Sequence, residues 1–108
     1  MVAYDKKLDA RVRAIVANWG ATTKKMFGGT CHLLQGNMLC GVNTDQLIVR
    51  LGKEAGPAAL EEPHTRPMDI TGRPMKGWVI VSPKGYAGEA LNDWLDRARA
   101  FVSTLPPK

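Results

Sequence analysis

No stretch of this 108-residue chain is apolar for the roughly 18–20 residues that a membrane-spanning helix requires. The opening residues, MVAYDKKLDARVRAIVANWG, mix acids with bases and hold no unbroken apolar block, so no secretory leader is expected there. Cysteine is scarce. Cys31 and Cys40 are not spaced as a Cys-x-x-Cys pair, and both fall in apolar context. That argues against a disulfide framework and a redox motif, and makes reduced thiols in a cytoplasm the expectation. No block of five or six like charges occurs, so the dispersed bases read as solvated surface. Repeats, low-complexity tracts and internal linkers are absent as well, which leaves one domain spanning residues 1–108.

What remains is an ordinary globular composition, 44% apolar and 23% charged, with a formal net charge of +5 and a pI near 9.5. From Asp5 to Trp19, Leu8, Val12, Ile15, Val16 and Trp19 recur at helical spacing, with Asp5 placed to cap the start and Gly20 the end. The period then drops to two. In TCHLLQGNMLCGVNTDQLIVRL, a turn at Gly36-Asn37 pairs Leu33 with Cys40 and Cys31 with Val42. A turn at Thr44-Asp45 pairs Val42 with Leu47 and Cys40 with Val49. Both registers put Cys31, Leu33, Met38, Cys40, Val42, Leu47, Val49 and Leu51 on one face of a three-stranded meander. The other face carries His32, Leu34, Leu39, Gly41, Ile48 and Arg50, more apolar than a solvated face needs. Ala55, Ala58, Ala59 and Leu60 predict a short helix, limited by Gly56-Pro57. Alternation predicts a fourth strand over Met68–Thr71, a turn at Gly72-Arg73 and a fifth strand from about Met75 to Ser82. Leu91, Trp94, Leu95, Ala98, Phe101, Val102 and Leu105 make the stripe of a closing helix that Pro106-Pro107 ends. The expected class is α+β, a two-layer domain with an antiparallel sheet packed by the terminal helices.

Three motifs, KKMFGGTCHLLQGNMLCGV, RPMDITGRPMKGWVIV and a closing helix ending in LPP, resemble the N-terminal domain of the bacterial TfoX/Sxy family over essentially the whole chain. The resemblance implies an α-β(3)-α-β(2)-α order, in agreement with the periodicity. It also implies kinship with regulators of natural competence, whose founding members carry a second, C-terminal domain. The expectation is a stand-alone version without that domain, and the resemblance brings no catalytic residues. Lys53, Gly56 and Pro57 make the middle helix weaker than the family pattern implies.

No enzymatic chemistry is expected. Cys31 and His32 are neighbours on a strand and point to opposite faces, and His64 lies in a proline-flanked loop, so no Cys-His dyad forms. Zinc sites present four ligands, often in close pairs, and none are spaced that way, so no metal and no cofactor is expected. The glycines of KKMFGGT follow a helix and open a strand, the reverse of a phosphate loop, and suit a tight backbone approach instead. Lys24, Lys25, Arg73 and Lys76 are candidates for a basic rim that grips an anion, against the plainer reading of solvated cations around a hairpin. Leu34, Leu39, Ile48, Trp78 and Ile80 are candidates for an apolar association face, with Trp78 and Leu39 as anchors; cover from the chain's own middle segment is the alternative. The resulting expectation is a cytoplasmic, non-catalytic interaction module, regulatory in role, meeting a protein partner or a second copy as a homodimer. A nucleic-acid-binding regulator using the dispersed bases is the runner-up, though no helix-turn-helix, basic helix or interleaved aromatics support it. A binder of small anionic ligands ranks below that.

Overall fold

The first helix forms as its caps dictate. Asp5 accepts a hydrogen bond from the Leu8 amide at 3.0 Å, and α1 runs Lys6–Val16 before tightening into a 3-10 turn over Ala17–Trp19. Gly20, at φ 83°, makes the left-handed stop that a residue with a Cβ resists. The structure is a computed structural model and describes residues 5–26, 29–69 and 76–107.

After α1 come β1 (Thr22–Met26), β2 (Gly29–Leu34), β3 (Asn37–Asn43) and β4 (Gln46–Arg50), then α2 (Gly52–Ala59), β5 (Thr65–Pro67), β6 (Trp78–Val81) and α3 (Ala90–Val102). The strands form a six-stranded antiparallel sheet in the order β1-β2-β3-β4-β6-β5. The α+β class and the helix positions stand as expected, with one more strand, β1, ahead of the meander. Of the strand expected over Met68–Thr71, Met68 and Asp69 lie outside any strand and Ile70 and Thr71 outside the described residues; the strand found in this passage is β5, at Thr65–Pro67. Residues 70–75, including the Gly72-Arg73 turn, lie outside the described residues.

The second hairpin has the expected register, Cys40 opposite Val49 and Val42 opposite Leu47. The first does not. Its turn is Gln35-Gly36, with φ of 53° and 84°, the doubly positive geometry that matches strand twist in a two-residue loop. Asn37 is therefore free to join β3, and its side-chain amide donates to the Pro106 carbonyl at 2.9 Å. Leu33 pairs with Met38 and His32 with Cys40, so Leu39 is the extra residue of a β-bulge. The bulge exchanges the faces of everything before it. His32, Leu34 and Leu39 turn to the helices, whereas Cys31, opposite Gly41, turns to the reverse side.

α1 crosses β2 and β3, and α3 crosses β3 and β4. Between helices and sheet lies the larger core, including Leu8, Val12, Leu39, Val42, Leu47, Val49, Val79, Val81, Trp94 and Leu95. Gly77 allows α2 to begin hard against β6: its carbonyl accepts from the amides of Leu51 at 2.7 Å and Gly52 at 3.1 Å. A Cβ on Gly56 would stand 2.7 Å from the Gly77 Cα, so glycine is required at this crossing. Pro57 sits inside α2 and removes an internal donor, in keeping with a helix of only eight residues.

Candidate functional site

Of the residues expected to form an association face, Leu34 and Leu39 belong to the helix-side core. Ile48, Trp78 and Ile80 form a second cluster on the reverse side, closed by Met68 with Met38 packed against it. All five are buried, at 9% exposure or less, so no open apolar patch is built from them. The premise of a shared face fails for two reasons: the bulge at Leu39 turns part of the set over, and Met68 from the middle segment seals the rest. Arg50 completes that side, its guanidinium 5.4 Å from the Trp78 ring centroid and 5.8 Å from that of Phe101.

The expected basic rim does not gather. Lys24 and Lys25 lie on edge strand β1, whereas Lys76 precedes β6, four strands across the sheet. At about 4.8 Å per strand that is about 19 Å along the sheet, too far for one small anion. Arg73 lies outside the described residues. The other bases divide by type. Arg13 pairs with Asp9, Arg66 with Asp69, and Arg97 with Glu62 and Asp93. Arg97 also stacks over Trp94, Arg99 stacks over Trp19, and Arg11 donates to the Gly88 carbonyl. The hydrogen bonds and the charge of Glu62 and Asp93 raise the Arg97 pKa further. The described arginines thus hold the protein's own surface together, a poor arrangement for a nucleic-acid footprint.

One polar constellation escaped the sequence reading. Asp9 on α1 is 3% exposed; its Oδ1 accepts from Thr30 Oγ1 at 2.7 Å and from His32 Nε2 at 2.9 Å. Its Oδ2 accepts from Arg13 Nε at 3.1 Å. The other nitrogen of the fully buried His32 ring meets Thr23 Oγ1 at 2.9 Å. An imidazole with its proton on Nε2 satisfies both neighbours, donating to the carboxylate and accepting from the hydroxyl. The connectivity, hydroxyl to imidazole to carboxylate, is that of a nucleophile relay. Thr23, however, stands exposed on an edge strand. What the chain does physically is tie α1 to β1 and β2. Asp9 shares a helical phase with Val12 and Val16, and that buried-side carboxylate was the signal available in the sequence.

The cysteines lie on opposite sides of the sheet, Cys31 opposite Gly41 and Cys40 opposite His32, so the shared face expected for them does not exist. Burial pushes the Cys31 thiol up to about 11, with Lys24 pulling weakly the other way. Cys40 is raised further by burial and by the nearby Cys31 and Asp9. Neither is a nucleophile at neutral pH. Among the described residues no three of His, Cys, Asp and Glu gather as metal ligands.

β1 is open to an incoming strand: its side chains from Thr22 to Lys25 are exposed, and among the described residues no strand lies beside its outer side. A two-layer α+β domain with three helices on a six-stranded antiparallel sheet is the class thus defined. The family described as the TfoX N-terminal domain matches residues 15–102, and the chain belongs to that family. No curated protein and no solved structure matches the chain.

Proposed function

We propose that this domain is a non-catalytic interaction module that acts by contact with another protein chain, in a regulatory role of the kind the family's founding members suggest. The observation that supports it most is the β1 edge. An unpaired strand edge offers a row of backbone donors and acceptors to an incoming strand. The buried, protonated thiols suit a reducing compartment, and the location assigned is the cytoplasm. The partner class is a second protein, with a second copy of this chain as the other candidate.

In-cell photo-crosslinking tests the reading. A photoreactive residue replaces Thr22 or Lys24 on β1 and, as control, Ala58 on the exposed side of α2. Adducts with another chain at the β1 positions, stronger than at Ala58, are expected. Equal labelling at all positions, or none on β1, refutes the proposal.

A further inference from the structure

We infer that the β1 edge takes an acidic, extended peptide segment as an added strand, with two consecutive carboxylate side chains meeting Lys24 and Lys25. This rests on the interaction reading above and names its partner's chemistry.

The two edges of the sheet differ. β5 is three residues long and ends in Pro67, which has no amide to donate, so that edge is blunted. β1 is five residues long and contains no proline. Every second residue of such a strand turns its N–H and C=O away from its one neighbour. The side chains add selectivity. Lys24 pairs with Cys31 and projects on the reverse side, whereas Lys25 pairs with Thr30 and projects on the helix side. Neither makes an ion pair with a described residue, although the described arginines are engaged as set out above.

Lysine on an edge ordinarily guards against pairing with another copy. A two-fold copy of β1 centred on these residues would set lysines opposite lysines, and like charges directly across are destabilising. The same charges favour a strand of opposite sign. Consecutive residues of an added strand point to opposite sides, so an acidic dipeptide reaches both lysines at once. β-Branched neighbours would keep the segment extended.

The test uses a fluorescent peptide of about eight residues with a central Glu-Glu pair among valines and threonines, titrated against the full chain by anisotropy. A Lys-Lys version and a Glu-Glu version N-methylated on alternate amides are the comparison probes. One-to-one binding of the Glu-Glu peptide is expected, weakened about tenfold or more by N-methylation, because the methyl groups remove backbone donors and leave the charge. The variant carrying Lys24→Glu and Lys25→Glu alters only exposed side chains, and its fold is checked by circular dichroism. It should prefer the Lys-Lys peptide. Equal binding of the N-methylated peptide overturns strand addition, and equal binding of the Lys-Lys peptide overturns charge selection. Absence of binding, or a wild-type dimer through β1 in sedimentation, overturns the proposal too. A crosslinked partner on β1 that lacks an acidic strand would sink this inference and leave the interaction module standing.

Discussion

Replacing Asp9 with alanine interrogates the polar chain under α1. The substitution strips the acceptor from the Thr30 hydroxyl and from His32 Nε2, both in residues at 5% exposure or less. A buried donor left without a partner costs about 1–3 kcal/mol. The third partner behaves differently, since the Arg13 side chain is 54% exposed and water can take over its bond. An exposed ion pair is worth about 0–1 kcal/mol. The expected loss for Asp9→Ala is therefore about 3–5 kcal/mol, a large share of a typical domain's ~5–15 kcal/mol. Asp9→Asn, which keeps an acceptor oxygen, should lose about half as much. Urea unfolding followed by tryptophan fluorescence reads this directly; with a slope near 1–1.5 kcal/mol/M the midpoint drops by about 2–5 M. Arg13→Ala should move it by less than about 1 M. Combining Asp9→Ala with His32→Leu removes the stranded donor, so the double variant should fall short of additivity by about 1 kcal/mol or more. An Asp9→Ala loss below about 1 kcal/mol, or strict additivity with His32→Leu, refutes the account of a satisfied buried network.

Gly29→Ala should abolish soluble folded protein, because its Cβ would lie 1.8 Å from the Val42 carbonyl oxygen, a backbone atom that cannot swing away. Gly20→Ala meets nothing within 4 Å and strains only a left-handed φ of 83°, so a loss of about 1 kcal/mol in the same urea assay is expected. Leu39→Asp should unfold the domain outright, since it places a carboxylate in the helix-side core; a folded Leu39→Asp monomer by circular dichroism would contradict the burial. Trp78→Ala should cost about 3–5 kcal/mol through the cavity it leaves beside Ile48, Ile80 and Met68. The Cys31 thiol, raised from 9.0 to about 11, holds its proton more tightly in the folded chain than in the unfolded one. Its contribution to stability is therefore intact below about pH 9 and lost as pH rises towards about 11. Urea midpoints at pH 7.5, 9 and 10.5 should decline over the last interval, and less steeply in Cys31→Val. Stoichiometric iodoacetamide labelling of the native chain at pH 7.5 would contradict the raised thiols.

The elements visible in the sequence were those that bury one face. The stripe Leu91, Trp94, Leu95, Ala98, Val102 is the buried side of α3, and the Val42–Leu47 and Cys40–Val49 pairs stand in the sheet as the Thr44-Asp45 turn requires. β1 was invisible because Thr22–Lys25 are exposed on both sides, and a strand that buries nothing shows no alternation. The first hairpin misled for a different reason. Gly36 fits either of two adjacent two-residue turns, and only the choice of Gln35-Gly36, together with the bulge at Leu39, decides which side His32 and Cys31 face. One residue of slippage thus separates a histidine expected on the face away from Cys40 and Val42 from one at the centre of the buried network.

The same facts explain how an open edge persists. A strand whose side chains from Thr22 to Lys25 lie in water has little apolar burial to hold it, and its ladder to β2 alone is a marginal anchor. The hydrogen bond from Thr23 to His32, backed by Asp9 and through it by α1, fastens the strand from inside without covering its outer side. An apolar anchor on the solvent flank would have done the opposite, inviting indiscriminate pairing. The polar clasp and the two lysines therefore act together: the first keeps the edge in place, and the second restricts what may join it.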